Sequence, residues 1–158
     1  MPARLNYISA SHDSFKAMME LQQHVSKNGL ETNLLHLVYL LVSRLNGCAY
    51  CIDMHSQDLR AEGEKELRID LVSVWAETDL YSEREMAAFT WAEAVTRVSE
   101  SHVPDDVFAR ASQSFSAEDL VKLTLAVITI NAWNRFAISF RSEPGHYRPT
   151  ASQKSVAS

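Results

Sequence analysis

The chain has 158 residues, with 15 Lys and Arg against 20 Asp and Glu, and only four Gly and four Pro. This length suits one domain with its own hydrophobic core, and the composition favours a compact all-α protein over a sheet protein or a disordered chain. The formal net charge of -5 gives no electrostatic reason to expect a nucleic acid or an anionic membrane as a partner.

The first ten residues are predicted to be extended, and they lack the continuous apolar run of a secretory signal. The longest uncharged apolar stretch, 123–134, is shorter than the roughly 20 residues of a membrane-spanning helix. We therefore expect a cytoplasmic protein without a membrane span. In that reducing compartment, an isolated pair of cysteines is more typical of catalysis or metal binding than of a structural disulfide.

Four helices are predicted in the first half of the chain. Ser11 is a favourable N-cap residue for the first helix, and Gly29 ends it. Apolar residues then recur three and four positions apart as far as Leu45, and Asn46-Gly47 ends this second helix. The predicted bounds of the four helices are 11–28, 31–45, 48–62 and 64–75.

Three more helices are predicted in the second half. Ser82 with Glu85 three residues later is a capping box, and it starts a helix that reaches residue 98. A short helix over 104–112 follows, and Ser116 opens the last helix. The last helix is apolar nearly all round, so it is predicted to lie at the centre of the fold or in an oligomer interface. We expect one domain over 1–149 and a mobile tail over 150–158.

Several large aromatic and polar side chains within these helices are predicted to have structural roles. Asn131 and Asn134 lie inside an otherwise apolar helix, so we expect them to make structural or interface hydrogen bonds. The three tryptophans lie on helical stripes and are predicted to be core aromatics: Trp75, Trp91 and Trp133.

The stretch "NGCAYCIDMH" places two cysteines three residues apart and a histidine four residues after the second. At about 100° per residue, Cys48, Cys51 and His55 share one face of a helix. Cys48 is predicted near the helix N-cap, where free N–H groups and the helix dipole favour a thiolate. His55 can accept a proton from Cys51 or stabilise its thiolate. Cys51 is therefore the better candidate for attack on an oxidant, and Cys48 suits the role of forming the disulfide.

Two other interpretations of this stretch compete with the redox pair. The cysteines also suit a packed core, because free cysteine is among the most buried residue types. A zinc site would need Cys48, Cys51 and His55 with His36 or His24 as the fourth ligand, although structural zinc sites usually place their cysteine pair on a turn. A thioredoxin-like fold is excluded, because that fold needs strands around the motif.

With its flanks, the stretch "LLHLVYLLVSRLNGCAYCIDMHSQDLRAEGE" resembles the AhpD-like alkylhydroperoxidase branch of the carboxymuconolactone decarboxylase family. The segments "AETDLYSEREMAAFTWAEAVT" and "LVKLTLAVITINAWNRFAISF" extend the resemblance over 34–141. It implies an AhpD-like helical bundle that assembles into trimers or hexamers. It also implies a dithiol that reduces hydroperoxides or supplies electrons to a peroxiredoxin, and the family's electron donors include lipoyl-bearing proteins. We expect neither a cofactor nor a metal.

The resemblance also assigns roles to single residues. Cys51 corresponds to the peroxide-attacking cysteine, Cys48 to its resolving partner and His55 to a member of a proton relay. The family places a relay glutamate twelve residues before the first cysteine, and this chain has His36 there. A histidine can pass a proton but cannot supply a fixed negative charge. On a helical wheel, His36 lies opposite the apolar stripe of its helix, so it can also face solvent.

Two further hypotheses differ in function from a dithiol peroxidase or disulfide reductase. One is a non-redox enzyme of the carboxymuconolactone decarboxylase type, with His36 and His55 as general acid and base. The other is a non-catalytic oligomeric binding module with packed thiols. The dithiol enzyme is the leading hypothesis, because the two cysteines and the histidine share one face beside a helix start.

Overall fold

The computed structural model describes residues 1–149, which form nine α-helices, one 3-10 segment and connecting turns. No strand occurs within that range, so the predicted all-α class is confirmed. The tail predicted over 150–158 lies outside the described residues. The helices are α1 Tyr7–Ala10, α2 His12–Ser26, α3 Thr32–Leu45, α4 Ala49–Ala61, α5 Glu66–Leu71, α6 Glu83–Thr96, α7 Val98–Ser101, α8 Asp105–Ser114 and α9 Ala117–Phe140, and the 3-10 segment Val72–Glu77 follows α5.

Local capping explains where several of these helices begin. The Ser82 side chain accepts a hydrogen bond from the Glu85 N–H at 3.2 Å, and the Glu85 carboxylate accepts one from the Ser82 N–H at 2.7 Å. The predicted capping box at the start of α6 is therefore confirmed. Ser116 caps α9 in the same way by accepting from the Asp119 N–H at 3.1 Å.

The helix pattern differs from the prediction at both ends of the first half. Residues 1–10 are not wholly extended, because the Asn6 side chain accepts hydrogen bonds from two backbone N–H groups and caps the single turn α1. The fourth predicted helix ends as an α-helix at Leu71 and continues as the tighter 3-10 segment. Val74 within that segment has non-helical backbone angles, φ -124° and ψ 30°.

The central helix of the bundle is α3. It contacts α4, α6, α9 and the 3-10 segment, and nine of its 14 residues are buried. Leu37 and Leu41 on its apolar stripe are completely buried, but so are Leu40 and Ser43 on other faces. Neighbouring helices cover α3 nearly all round, so faces of this helix outside its apolar stripe are buried as well.

The last helix, α9, has one buried face and one exposed apolar face. It packs against α2, α3, α4, α6 and α8, and Leu123 and Val127 on the inner face are completely buried. Val121 and Ile128 on the outer face are 70% and 50% exposed. By length and composition α9 matches a membrane span, a test that core helices also pass. Two of the three tryptophans predicted as core residues, Trp75 and Trp91, are buried.

Candidate active site

Cys48 and Cys51 are joined by a disulfide at the start of α4, with their Cα atoms 5.3 Å apart. Gly47 has a φ of +68°, a left-handed conformation that favours glycine, and it turns the chain from α3 into α4. Cys48 is the N-cap of α4, and its sulfur accepts a hydrogen bond from the Cys51 N–H at 3.4 Å. The positive end of the helix dipole therefore points at the sulfurs and favours a thiolate after reduction.

A buried amide network holds the turn that precedes the disulfide. The Asn46 amide donates to the side-chain oxygens of Asn131 at 3.0 Å and Asn134 at 2.8 Å. The Asn134 amide in turn donates to the Ser43 hydroxyl at 3.1 Å, and Asn134 is completely buried. The prediction of structural hydrogen bonds from Asn131 and Asn134 is confirmed, and these bonds join α9 to the end of α3.

His55 lies one turn after Cys51 and is 6% exposed. Its Nδ1 atom is 3.5 Å from Oδ2 of Asp58, which is close enough for an electrostatic contact but too far for a well-formed hydrogen bond. Burial lowers the pKa of His55, although the Asp58 carboxylate acts in the opposite direction. Burial also acts to raise the pKa of Asp58, but the nearby His55 ring and the hydrogen bond from Tyr147 outweigh it and leave that pKa below its usual range. The pair is therefore a neutral imidazole beside a carboxylate near pH 7.

His36 faces this site rather than solvent. Its side chain is 13% exposed, and its ring centroid is 6.0 Å from that of His55. Nδ1 of His36 is 2.8 Å from Oε1 of Glu62, although the angle falls outside that of a hydrogen bond. Tyr39 packs against both histidines, and burial raises the pKa of its hydroxyl to about 12. The solvent-facing position that the helical wheel allowed for His36 is therefore wrong, because α4 covers that face of α3.

These residues open onto a cavity of about 410 Å³. Cys51, His36 and His55 line it, and Cys48 does not. Much of the remaining lining is apolar and comes from α1, α2 and α9, namely Tyr7, Ile8, Phe15, Met19 and Trp133. Trp133, predicted as a core residue, thus lies at the cavity wall, where its Nε1 donates to Gln22 at 3.1 Å.

The segment after α9 crosses back over α4 and closes one side of the cavity. The Gly145 N–H donates to Oδ2 of Asp53 at 2.7 Å, and the Tyr147 hydroxyl donates to Oδ1 of Asp58 at 2.6 Å. Asp53 and Asp58 lie on α4, so both contacts fix the segment to the helix that carries the disulfide. Tyr147 lines the cavity with Asp58.

Three residues of this site were missed by sequence reasoning. Asp58 follows His55 by three positions, and this helical spacing is a signal from which their contact could have been predicted. Glu62 follows His55 by seven positions and shares its face in the same way. Tyr147 is 89 residues from Asp58, and no local pattern connects them.

The packed-core and zinc interpretations fit this geometry less well than a redox pair. Cys48 and Cys51 are 1% and 2% exposed, as packed cysteines would be, but Cys51 borders a cavity. Both sulfurs are bonded to each other. Within residues 1–149, no group of three or more His, Cys, Asp or Glu side chains is arranged to hold a metal ion.

The lowered pKa of His55 predicts a specific pH dependence of stability. An unfolded histidine has a pKa of about 6.5, and the folded value lies below its ordinary one. Between these two values the unfolded chain binds more protons than the folded chain, so the free energy of unfolding falls as pH falls through this window. We expect urea titrations to show that the free energy of unfolding falls less between pH 7.5 and 5.5 in His55→Gln than in the unsubstituted protein. His24→Gln, at an exposed position on α2, should keep the full fall; equal falls in the two variants would contradict the prediction.

The comparisons with known proteins agree with this architecture. The model of the carboxymuconolactone decarboxylase family matches residues 12–94. The uncharacterized protein YdfG of Bacillus subtilis is 35% identical over 139 residues, which is 88% of this chain and 95% of YdfG.

Two crystal structures share the fold. ATU0492 from Agrobacterium tumefaciens, a protein of unknown function provisionally assigned to AhpD antioxidant defence, is 44% identical with a TM-score of 0.90, covering 92% of this chain and 100% of its own. A peroxidase-related protein from Ralstonia eutropha with an alkylhydroperoxidase AhpD core is 22% identical with a TM-score of 0.78, covering 89% and 75%. This chain belongs to the carboxymuconolactone decarboxylase family and has its AhpD-like fold.

Proposed function

We propose that this protein is a thiol-dependent peroxidase that reduces organic hydroperoxides with the Cys48–Cys51 dithiol. The observation that carries the proposal is the position of the disulfide. Cys51 lines a largely apolar cavity together with His55, at the positive end of the α4 dipole. A purely structural disulfide has no need of a histidine and a ligand-sized cavity beside one of its sulfurs.

The proposed cycle begins with the reduced protein. The Cys51 thiol gives its proton to His55, and the thiolate attacks the distal oxygen of the hydroperoxide ROOH. The O–O bond breaks, its electron pair leaves on the alkoxide, and the alkoxide takes the proton from the imidazolium and departs as ROH. Cys51 is then a sulfenic acid. The Cys48 thiol attacks that sulfur, water leaves, and the disulfide forms.

The cycle closes when an external dithiol exchanges with the disulfide, which returns two thiols to this protein and leaves a disulfide in the donor. A lipoyl-bearing protein is one donor of this class. In the alternative arrangement, this dithiol passes its electrons on to a peroxiredoxin. A cytoplasmic location is part of the proposal, because a reducing compartment keeps such donors supplied.

A homo-oligomer, either a trimer or a hexamer, is also part of the proposal. Its support is the exposed apolar surface on the outer face of α9 and on the neighbouring α8. Val121 and Ile128 of α9 and Phe108 of α8 are 70%, 50% and 54% exposed. Large apolar side chains that are exposed on neighbouring helices support an association surface at this place.

General acid and base chemistry without the sulfurs is a second candidate. Two histidine–carboxylate pairs lie at this site, His36–Glu62 and His55–Asp58, and all of these residues except Glu62 line the cavity. Proton transfer by such pairs needs no thiol. The presence of Cys51 at the same cavity favours the dithiol function over this one, because a decarboxylase would have no use for the disulfide.

The apolar part of the cavity lining predicts which peroxides react fastest. We expect the reduced protein to consume one equivalent of cumene hydroperoxide, with formation of the Cys48–Cys51 disulfide and one equivalent of cumyl alcohol. The rate should exceed that with hydrogen peroxide by about tenfold or more, because burying the aryl group against Phe15 and Trp133 contributes at least about 1.5 kcal/mol. Mass spectrometry of the protein and chromatography of the alcohol measure both products.

A matched pair of variants on α2 distinguishes the effect of the cavity lining on peroxide preference from the effect of any substitution in this helix. Phe15→Ala should reduce the preference for cumene hydroperoxide, because Phe15 lines the cavity. Lys16→Ala, the next residue along the helix, should keep it, since the Lys16 side chain is 65% exposed. If cumene hydroperoxide produced no disulfide and no alcohol, the proposed peroxidase function would be wrong.

A further inference from the structure

Asp58 and Tyr147 take no part in the cycle described above, yet both line the cavity beside His55. Asp58 Oδ2 lies 3.5 Å from His55 Nδ1, and Asp58 Oδ1 accepts the hydrogen bond from the Tyr147 hydroxyl at 2.6 Å. Both ring nitrogens of His55, Nδ1 and Nε2, are buried and have no hydrogen-bond partner within residues 1–149. Nδ1 is the ring nitrogen at which Asp58 makes its shortest approach, and a buried ring without hydrogen-bond partners requires an explanation.

We infer that Cys51, His55 and Asp58 form a triad in which Asp58 and Tyr147 are positioning residues. The Asp58 carboxylate holds the neutral imidazole with its proton on Nδ1, and the Tyr147 hydroxyl holds the carboxylate in place. Nε2 is then the free base that accepts the Cys51 proton, and Asp58 stabilises the imidazolium that results. The same proton later goes from Nε2 to the departing alkoxide. The kinetic part of this inference rests on the proposed function, whereas the tautomer of His55 does not.

The charge states of the surrounding groups fit these roles. Asp58 is a carboxylate near neutral pH because the nearby His55 ring and the hydrogen bond from Tyr147 outweigh the effect of its burial. His55 is neutral because burial disfavours its charged form. The other titratable groups that face His55 are His36 and Tyr39 of α3, and Cys51 lies one turn before it on α4.

His36 cannot take the place of Asp58 in this arrangement. It approaches Glu62 rather than the His55 nitrogens, and its ring centroid is 6.0 Å from that of His55. A protonated His36 would also oppose protonation of His55, because two cations in a buried site repel each other. Asp58 is the carboxylate nearest to His55 among the contacts of this site, so it is the group that fixes the ring.

The tautomer of His55 is measured directly by nitrogen NMR of protein labelled with ¹⁵N-histidine. We expect the Nδ1–H tautomer in the unsubstituted protein. In Asp58→Asn we expect a shift toward the Nε2–H tautomer. A carboxylate can only accept a hydrogen bond from Nδ1–H, whereas the amide N–H of Asn can donate one to an unprotonated Nδ1. Asp53→Asn is the matched control: Asp53 is on the same helix and contacts the same C-terminal segment through Gly145, but not His55.

The reactivity of Cys51 supplies a second readout that needs no peroxide. In a Cys48→Ser background, Cys51 is the only thiol, and its alkylation by iodoacetamide is followed as a function of pH. We expect Asp58→Asn to slow alkylation at pH 7 by about tenfold to a hundredfold and to raise the apparent pKa of the Cys51 thiol. Tyr147→Phe, which keeps the ring and removes only the hydroxyl, should slow it by about threefold to tenfold.

Each outcome bears on the triad separately from the peroxidase function. An Nε2–H tautomer in the unsubstituted protein would overturn the inference, and so would unchanged alkylation profiles in both Asp58→Asn and Tyr147→Phe. A change in Tyr147→Phe alone would still support it if Asp58→Asn failed to fold. If no hydroperoxide were turned over but tautomer and alkylation behaved as expected, the triad would stand and the proposed substrate would fall.

Discussion

Cys51→Ser is expected to lower turnover of cumene hydroperoxide with a dithiol donor by at least about 1,000-fold, because loss of a nucleophile removes the covalent step on which the other groups act. A serine hydroxyl at this position stays protonated near neutral pH, whereas the α4 dipole and His55 favour ionisation of the thiol. Consumption of the peroxide in a coupled assay, with the dithiol in excess, measures the effect. Turnover by Cys51→Ser at the unsubstituted rate would rule out the mechanism.

Cys48→Ser is the matched control for that result. The substitution is chemically the same and lies three residues away, but it removes the resolving thiol rather than the attacking one. We expect this variant to react with its first equivalent of peroxide and to accumulate a sulfenic acid on Cys51, which dimedone traps. The opposite pattern, with Cys51→Ser trapped by dimedone and Cys48→Ser inert, would reverse the assignment of the two cysteines.

The part of this site that local spacing determines was predictable from the sequence. Cys48, Cys51 and His55 lie within two turns of one helix, so their shared face follows from the helical repeat alone. The N-cap position of Cys48 followed from Asn46-Gly47, which ends one helix and leaves the next residue to start another. These statements depend on neighbours in the chain and not on the packing of distant segments.

The orientation of His36 was not predictable in the same way. A helical wheel assumes that the face opposite the apolar stripe meets water, and α3 breaks this assumption because α4 covers its polar side. His36 and Glu62 approach each other across that helix pair at 2.8 Å. A helix that is buried on two faces can carry the same apolar stripe as a helix that is buried on one face. The stripe alone therefore does not show how many faces are buried.

The contact between Tyr147 and Asp58 shows a second limit. The segment after α9 has no apolar periodicity, and its contacts with α4 include two hydrogen bonds to aspartates 92 and 89 residues away in the chain. Each bond is individually weak, typically about 0.5 to 1.5 kcal/mol in net stability, or somewhat more with a charged acceptor. Local propensity therefore does not encode them, although they bring an aromatic hydroxyl into the cavity.

Asn134→Ala is expected to lower the free energy of unfolding by about 2 to 4 kcal/mol, because it creates a small cavity and leaves buried polar groups without their partner. Asn134 is completely buried, accepts from Asn46 at 2.8 Å and donates to Ser43 at 3.1 Å. Urea denaturation of the oxidised protein measures the change. Gln113→Ala, at an exposed position on α8, is the control and should change stability by less than about 0.5 kcal/mol.

The same substitution also tests whether the amide network contributes to the chemistry. Asn46 lies two residues before Cys48, and its bond to Asn134 ties the turn between α3 and α4 to α9. Without that bond the turn is less constrained, so the two thiols of the reduced protein should meet less often in the geometry of the disulfide. We expect the disulfide of Asn134→Ala to form more slowly after sulfenic acid formation, while the attack of Cys51 on peroxide changes less. A stability loss below about 0.5 kcal/mol would show that the network does not hold the turn. A large loss with unchanged disulfide formation would show that Gly47 and the cap at Cys48 position the sulfurs without it.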